Sequence, residues 1–457
     1  MKRREALKLL SVGALHAAAP KPPNVLFVIS DDLNNDFGGL ERLAKIHSPN
    51  LDRVAAHGVR FEHAFCQYPL CNPSRVSLFS GLRPTTTQVL DNVTPPRYAV
   101  PDFVTLPQHL RAYGYQARYF GKVFHLLDPK SWNDHAPPPN RQKVNQFNYW
   151  IEPVTASHPE VADFLRGMMD RKSGPAETLE DYKIANDAIG ALREFHSSPS
   201  EPFFLAVGFH RPHVPLVAPQ MVFDLYSPER VRLPIDFARG PGWKSVPDDA
   251  FRPNLDLFFE MEAMPAKARE RIAAYYACVS FLDSQLGRLL DELERLDLAR
   301  DTIVVLIADH GWHLGQKGMW AKMTLFENSA NVPLLISDPR KSTGGSRCRA
   351  TVESLDVYPT LVELCGLPMP PHLEGRSLAP LLDDPRAAWD RPARTVMLRN
   401  GHLAKTVRTT RWRYTEWDGG RRGTELYDHE HDPYELQNLA GKTKYAGTIS
   451  DLRRALG

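Results

Sequence analysis

The sequence predicts an α/β protein in which a large sheet lies between layers of helices, followed by a smaller C-terminal α+β unit with an antiparallel sheet. Three observations support this prediction. Continuous apolar runs, typical of strands buried on both faces, alternate with amphipathic helical patterns up to Gly366. Beyond that residue the apolar residues occur in short alternating runs. The length of 457 residues is enough for one large domain and one smaller one.

The first part of the chain supplies the first strands and helices. An apolar run at 25–29 predicts a strand that is buried on both faces. Ser48 and Pro49 then have the residue types of an N-cap and a first helical position, and Gly58 is a typical helix stop. A second helical pattern is followed by a predicted strand at 117–120.

The remaining elements continue this alternation. A long amphipathic pattern predicts a helix at 267–296. Because strands and helices alternate up to Gly366 and no longer do so beyond it, we expect a large domain at 22–380 and a C-terminal subdomain at 390–457. Further strands are predicted at 203–207, 302–307 and 332–336, and the short alternating runs lie at 397–414.

Loops are expected to be extensive, because the chain contains 39 Pro residues. That share exceeds the average of about 5%. Two inserts, at 129–149 and 236–254, are long enough to be rim loops over a site. Loops usually carry the functional residues of an α/β enzyme.

The N-terminal segment has the composition of an export signal at 1–19. Arg3 and Arg4 precede a short apolar stretch, and three Ala residues follow at 17–19. The paired arginines suggest the twin-arginine route, which leads to the periplasm or the outside of a bacterial cell. The alternative is a frayed N-terminal helix. No other run approaches the roughly 18 apolar residues of a membrane span, so we expect no membrane partner.

The overall charge excludes some classes of partner. Lys and Arg together number 56, Asp and Glu 54, which gives a net charge of +2. A protein so nearly neutral has no polybasic surface for nucleic acid, so anion recognition must be local. The five Cys residues are too few for a dense disulfide framework, and their odd number leaves at least one thiol unpaired.

Acidic residues follow two of the predicted strands directly. Asp31 and Asp32 come after the first strand, and Asp309 and His310 come after the strand at 302–307. Ligand sites in open α/β sheets lie at the carboxyl ends of the strands, so these side chains are expected to meet. Three carboxylates suit a hard cation, Ca²⁺ or Mg²⁺. The alternative is that each acid caps a helix or lies on the surface.

Cys71 is the candidate nucleophile. Asn72 and Pro73 after it have the residue types of an N-cap and a first helical residue. Cys71 would then lie at the mouth of a helix, where free N–H groups favour anions, with Arg75 one turn further on. Considered alone, a Cys is more often a small buried apolar residue than a nucleophile.

A wider motif surrounds this cysteine. It consists of Cys71, Pro73, Ser74, Arg75, Leu78, Ser80, Gly81 and Arg83. The motif resembles the signature of type I sulfatases, and segments at 48–53, 58–61, 425–428 and 432–433 are similar to that family as well. The resemblance extends from about residue 23 to 439. It implies an alkaline-phosphatase-like fold and a formylglycine, made from Cys71 by a formylglycine-generating enzyme.

Three segments resemble the iduronate-2-sulfatases within that family. They are residues 121–125, 208–213, and 309–312 together with 320–322. This likeness implies a sulfated sugar, such as a glycosaminoglycan-like oligosaccharide, as the substrate. His310 stands where most sulfatases have Asn, as in the iduronate enzymes. Because an imidazole is an unusual ligand for Ca²⁺, contact between His310 and a sulfate oxygen is the alternative.

The resemblance also implies roles for individual residues. The metal, Ca²⁺ before Mg²⁺, would be held by Asp31, Asp32, Asp309, His310 and the modified Cys71, and it would activate one oxygen of the hydrated formylglycine. A sugar carboxylate, as in a 2-O-sulfated uronic acid, would bind Arg211 and Lys317, although a neutral sulfated sugar is the alternative. The expected catalytic residues are Cys71, Arg75, Lys122, His125, His213 and Lys322.

Two other functions compete with this prediction. A phosphatase or phosphonate hydrolase of the alkaline phosphatase superfamily would share the fold, but it usually has a Ser or Thr nucleophile and two metals. An inactive carbohydrate-binding homologue would be expected to lack the nucleophile, the metal acids or the basic residues, all of which are present.

Overall fold

The structure is a computed structural model that describes residues 22–37, 43–133, 171–238, 241–251 and 263–457. The predicted export signal and most of the insert at 129–149 lie outside these residues, as do residues 239–240 and 252–254 of the second insert. Within the described ranges, no helix is both long enough and apolar enough to cross a membrane.

A seven-stranded sheet forms the centre of the protein, and every strand that the sequence predicted for this sheet is present. The strands are β1 (Asn24–Asp31), β2 (Val59–Phe65), β3 (Gln116–Gly121), β4 (Phe203–Pro212), β5 (Thr302–Ala308), β6 (Asn331–Ser337) and β7 (Ser346–Glu353). Their order in the sheet is β7-β2-β6-β5-β1-β4-β3. β6 alone runs antiparallel to its neighbours β2 and β5, so the sheet is mixed.

Helices pack around this sheet. The helices are α1 (Pro49–His57), α2 (Cys71–Ser80), α3 (Pro84–Thr87), α4 (Leu106–Ala112), α5 (Glu180–Ser197), α6 (Gln220–Phe223), α7 (Pro265–Arg295), α8 (Glu327–Ala330), α9 (Val357–Leu364), α10 (Ala379–Asp383) and α11 (Ala446–Leu456). One group that packs together consists of α1, α5 and α7, and another consists of α2, α4 and α9. β1 is buried along its whole length, as predicted for a strand that is covered on both faces.

The start of α1 illustrates how distant residues complete a local signal. Ser48 is the N-cap and Pro49 the first helical residue, as predicted, but the Ser48 side chain makes no capping hydrogen bond. The carboxylate of Asp283 on α7 accepts instead from the backbone N–H of Asn50 at 3.0 Å and of Leu51 at 2.7 Å. A distant carboxylate thus satisfies the free N–H groups that every helix start presents.

The prediction for the start of α2 was wrong by two residues. The helix begins at Cys71 with Leu70 as its N-cap, so Asn72 is already helical. The Asn72 side chain donates to the carbonyls of Asp91 and Thr94 in a following loop, at 2.9 and 2.8 Å, which is why it does not cap the helix. Pro73 still lies in the first turn, where its missing N–H costs no hydrogen bond.

A second, four-stranded antiparallel sheet forms the C-terminal part, as predicted. Its strands follow chain order: β8 (Ala393–Arg399), β9 (His402–Arg408), β10 (Trp412–Trp417) and β11 (Thr424–Asp428). Hydrogen bonds join it to the large sheet near the end of β2: Val396 N–H donates to Gln67 O at 2.9 Å, and Thr395 Oγ1 donates to Cys66 O at 2.6 Å.

Candidate active site

Four neighbouring parallel strands end at one edge of the large sheet. In the order β5, β1, β4, β3, they lead into Asp309 and His310, into Asp31 and Asp32, into the segment 208–213, and into Lys122. One ligand atom from each of Asp31, Cys71, Asp309 and His310 lies within 4.8 Å of the others. The same holds for Asp31, Asp32 and His213. The predicted cluster of acids around Cys71 is therefore present in the structure.

Cys71 lies at the first position of α2 and is fully buried. Its Sγ atom lies 3.0 Å from Lys322 Nζ, 3.4 Å from His310 Nε2 and 3.5 Å from Asp31 Oδ1. Burial and Asp31 oppose ionisation of this thiol, but the ammonium groups of Lys122 and Lys322 outweigh them and lower its pKa. All five cysteines are free, and burial raises the pKa of each of the other four thiols above the ordinary value.

Arg75 holds the centre of the cluster in place. Its side chain has no exposed surface, and its Nε donates to Asp309 Oδ2 at 2.8 Å. Nη1 donates to the carbonyls of Lys122 and Val123, while Nη2 lies 3.5 Å from Asp31 Oδ2. One guanidinium therefore connects the ends of β1, β3 and β5, because it offers several donors in a fixed plane.

Two buried lysines neutralise the carboxylates that follow β1. Lys122 forms an ion pair with Asp31, and Lys322 Nζ lies 2.8 Å from Asp32 Oδ1. Burial alone would lower the pKa of each lysine, but the carboxylates, with Cys71, raise both pKa values above the ordinary value. Both amino groups are therefore protonated, and both lower the pKa of Cys71.

The two carboxylates at the end of β1 differ in their environment. Burial favours the neutral acid at Asp31, but Lys122, His213, Lys322 and Arg75 lower its pKa well below the ordinary value. At Asp32, burial prevails and raises the pKa to about 7. Asp32 Oδ2 accepts no hydrogen bond although it is buried.

This arrangement fits a hard divalent cation. A buried carboxylate oxygen without a donor is costly unless a cation lies beside it. Oxygen atoms of Asp31, Asp32 and Asp309 are the ligands that Ca²⁺ and Mg²⁺ prefer. His310, next to Asp309, supplies an imidazole whose pKa is lowered by burial but raised further by Asp309, to about 9.

Two further histidines lie at the site as expected. His125 is buried, and burial together with Lys122 lowers its pKa to about 2. His213 Nδ1 lies 2.6 Å from Val214 O, and its Nε2 lies 3.8 Å from Asp32 Oδ2. Burial also lowers the pKa of His213 well below the ordinary value, so both rings are neutral imidazoles.

Lys317 and Arg211, the pair that was predicted to bind a sugar carboxylate, already have partners within the protein. Lys317 is 1% exposed, and its Nζ lies 3.2 Å from Asp236 Oδ2 and 2.5 Å from Tyr434 O. Since its charge is already paired in the interior, we correct its assignment as a rim cation. Arg211 is partly exposed, but its Nη1 donates to the carbonyls of His213 and Pro215. It supports the turn that carries His213.

The sequence did not reveal two residues that support the site. Asp181 at the start of α5 accepts from the backbone N–H of His210 at 2.9 Å and of Arg211 at 2.8 Å. Tyr275 on α7 donates to the carbonyl of Asp32 at 2.6 Å. In the sequence, Asp181 has the position of an ordinary first-turn acid and Tyr275 that of a core aromatic. No local pattern distinguishes them from such residues.

Comparisons with known proteins agree with this geometry. The family model described as sulfatase matches residues 23–367, and a second model, described as N-sulphoglucosamine sulphohydrolase, C-terminal, matches 315–457. A protein of Formosa agariphila named sulfatase is 34% identical over 95% of this chain and 86% of its own. Iduronate 2-sulfatase of Homo sapiens is 33% identical over 76% of this chain and 70% of its own.

The fold is similar to that of solved structures as well. One of them, solved in complex with its substrate D-glucosamine-2-N,6-O-disulfate, has a TM-score of 0.75. That likeness covers 95% of this chain and 97% of the other at 21% identity, so it concerns the fold alone.

Proposed function

This chain belongs to the sulfatase family and is a sulfuric ester hydrolase, and from that premise we propose that it removes sulfate from sulfated carbohydrates. The nucleophile would be formylglycine made from Cys71, beside a bound Ca²⁺, with Mg²⁺ as the second choice. The observation that carries the proposal is the position of Cys71 Sγ, 3.0 Å from Lys322 Nζ and 3.5 Å from Asp31 Oδ1. Formylglycine at this position would supply an oxygen nucleophile in place of the thiol.

The charges of the cluster support a metal and an anionic substrate together. Three carboxylates of the cluster face the side chains of one arginine and two lysines. A divalent cation would add two positive charges, which a sulfate ester with its single negative charge would partly offset. The residues concerned are Asp31, Asp32 and Asp309 on one side and Arg75, Lys122 and Lys322 on the other.

The metal would be held by Asp31, Asp32, Asp309 and His310 together with residue 71. When bound, such a cation lowers the pKa of a hydroxyl ligand and offsets charge on sulfate. Arg75 fixes the orientation of Asp309, and Lys122 neutralises Asp31, so both ligands are held before a substrate arrives. This preorganisation removes a reorganisation cost from the reaction.

The groups beside the nucleophile would handle the sulfate oxygens and the departing alcohol. Lys322 keeps its proton, since Asp32 and Cys71 raise its pKa above the ordinary value. It therefore serves as a donor to a sulfate oxygen or to the leaving oxygen. His213 and His125 would contribute neutral imidazoles that orient the same oxygens, with His213 Nε2 turned toward Asp32.

We also propose the finer substrate class, a 2-O-sulfated uronic acid or a similar acidic sugar. The support is the likeness to the iduronate enzymes in the segments that carry Lys122, His213 and Lys322. Arg211 is the candidate contact for the sugar carboxylate. Lys317 is not part of this proposal, because it is buried against Asp236. The neutral sulfated sugars are the alternative.

Further parts of the proposal concern maturation and location. A formylglycine-generating enzyme would be the partner that modifies Cys71, and the segment 1–19 would direct export to the periplasm or the medium. We keep the boundaries 22–380 and 390–457 for the catalytic domain and the C-terminal subdomain as proposals.

Release of free sulfate from defined sugars tests the function. We expect turnover of sulfated disaccharides to exceed that of matched phosphate monoesters and phosphonate esters. A preference for the phosphorus compounds would instead favour a phosphatase or phosphonate hydrolase. Within the sulfated panel, a higher kcat/KM on 2-O-sulfated uronates than on 4- or 6-O-sulfated neutral sugars supports the finer class, and the reverse order refutes it.

Mass spectrometry of the peptide that ends at Arg75 tests the nucleophile. We expect the mass of formylglycine at position 71 in active enzyme from a host with the modifying system. A fully active enzyme with an intact Cys71 thiol would refute this part.

Replacing Asp309 with Ala tests the metal and should remove bound metal and activity together. Full turnover in chelated enzyme would refute the requirement for a metal.

A further inference from the structure

The backbone at Asp32 has an uncommon conformation. Its φ is +64°, in the left-handed region that residues with a Cβ atom rarely adopt. Asp31 ends β1 and Asp32 follows it directly. In a regular strand two successive side chains would point to opposite faces of the sheet. The left-handed turn allows both carboxylates to face His213, with ligand atoms within 4.8 Å of one another.

Tyr275 bridges this turn from the neighbouring helix α7. Its hydroxyl donates to the carbonyl of Asp32 at 2.6 Å and accepts from the backbone N–H of Asn34 at 2.9 Å. Tyr275 is 1% exposed, so no water competes for these two bonds. The Asn34 side chain also donates to Trp312 O at 3.3 Å, which joins the turn to the segment after His310.

A strained backbone persists only where its surroundings hold it. The phenol of Tyr275 contacts both sides of the strained residue and touches no atom that would react. We propose that Tyr275 is a positioning residue for the metal site, which holds the Asp32 carboxylate in the direction of the cation. This inference rests on the metal site proposed above.

The test compares two buried tyrosines that are adjacent on α7. Tyr275→Phe removes the hydroxyl that spans the turn, whereas Tyr276→Phe removes a hydroxyl that donates to Asp36 Oδ2 at 2.7 Å, outside the carboxylate pair. Tyr276 is 0% exposed, so the two substitutions leave similar gaps. Both variants keep the aromatic ring and its packing.

Calorimetric titration of the chelated full-length proteins with Ca²⁺ gives the first readout. We expect Tyr275→Phe to raise the Kd by about 10- to 100-fold, the range found when partners of metal ligands are removed. Tyr276→Phe should change it by less than about threefold, on the same scale. Activity of Tyr275→Phe should recover as Ca²⁺ is raised, with kcat approaching the wild-type value.

Four results would overturn the inference. One result is an unchanged Ca²⁺ affinity in Tyr275→Phe, while the wild type binds Ca²⁺ and Asp32→Ala does not. It would refute the positioning role of Tyr275 and leave the proposed metal site unaffected. An equal loss in both Tyr variants, or a kcat that excess Ca²⁺ does not restore, would show a general packing effect. A wild-type protein that binds no divalent cation would refute the proposed metal site, and the inference with it.

Discussion

Two clusters of charge within the described residues differ in how their carboxylates are satisfied. One, which we propose to be catalytic and call the catalytic cluster, lies at the edge of the large sheet and comprises Asp31, Asp32, Cys71, Arg75, Lys122, Asp309, His310 and Lys322. The C-terminal ion network, between α8 and the antiparallel sheet, comprises Glu327, Arg408, Arg413, His429 and Glu435.

Every carboxylate oxygen of the C-terminal ion network has a donor. Glu327 Oε2 accepts from Arg408 at 3.1 Å and from Arg413 at 2.6 Å, and its Oε1 accepts from Asn331 at 3.0 Å. Glu435 Oε1 accepts from Arg413 at 2.5 Å, and its Oε2 accepts from the Glu327 backbone N–H at 2.9 Å. Two carboxylates and an imidazole meet here, as in many metal sites. The positive charges of the arginines already neutralise the carboxylates, so a metal ion is not needed for that.

The catalytic cluster leaves Asp32 Oδ2 without a donor and holds Asp32 at a positive φ. Such departures from a satisfied, relaxed interior concentrate at functional sites. The comparison therefore separates two uses of buried charge. In the C-terminal ion network every carboxylate oxygen has a donor, and the network fixes the C-terminal sheet against the segment that follows Lys322. In the catalytic cluster a buried carboxylate oxygen has no donor, which supports the proposed metal site.

The largest expected effect is the loss of activity when the proposed nucleophile of the catalytic cluster is removed. Replacing Cys71 with Ala should lower kcat/KM by on the order of 10⁴-fold or more, as loss of a catalytic nucleophile does in other hydrolases. The matched control is Cys66→Ala, a second buried cysteine, whose Sγ lies 3.9 Å from Ser329 O. Sulfate release by both variants, at equal folded concentration, measures the difference. Comparable activity of the two variants would contradict the assignment of the nucleophile.

The next effect concerns stability. Replacing Arg413 with Met removes the main partner of the buried Glu435 and one of the two arginines that pair with Glu327. Loss of one member of a buried ion pair costs about 3–5 kcal/mol. The free energy of unfolding in urea measures this loss. Arg421→Met is the control, because Arg421 is 75% exposed and pairs with Asp418 at the surface. Such pairs contribute roughly 0–1 kcal/mol. Equal stability of both variants would show that the network is dispensable.

The pH dependence of stability should also follow the C-terminal ion network. Burial raises the pKa of Glu435, but Arg413 and His429 outweigh it and lower the pKa to about 2. A carboxyl group with a lowered folded pKa stabilises above its unfolded pKa and loses that contribution as the pH falls toward 2. The loss amounts to about 3 kcal/mol between pH 5 and pH 2.

Urea unfolding at several pH values checks this expectation. Glu435→Gln should be less stable than the wild type at pH 7, because Arg413 loses one of its two carboxylate partners, and its stability should fall less steeply in acid. A wild-type slope in Glu435→Gln would mean that other carboxyl groups cause the acid loss.

The smallest expected effect is the response to the metal. Ca²⁺ at 100 times its Kd should stabilise the folded protein by about 2.7 kcal/mol. Arg413→Met should keep this increment, because Arg413 pairs with Glu327 and Glu435 and not with a proposed metal ligand, and Asp309→Ala should lose it. The shift of the unfolding midpoint on adding Ca²⁺ to chelated protein measures the increment. A full increment in Asp309→Ala would move the cation away from the catalytic cluster.

Much of the fold followed from local patterns. The apolar runs at 25–29, 203–207 and 302–307 are strands because only a sheet that is covered on both faces buries such runs completely. The antiparallel direction of β6 was not predictable, since an apolar run has no polarity. β2 and β7 were missed because charged residues interrupt them, among them Arg60, which packs over the ring of Phe37.

The sequence by itself determined which chemistry is present: Asp31 and Asp32 after one strand, Asp309 and His310 after another, and Cys71 within its motif. These signals are local, so they survive without coordinates. Only the tertiary structure decided which charged side chains already have partners within the protein. Lys317 has the composition of a rim cation, yet it is paired with Asp236, while Tyr275 and Asp181 support the site from distant helices. The physical reason is that burial and hydrogen-bond partners depend on the neighbours in space, and here residues 29, 81 and 243 positions apart in the chain supply them.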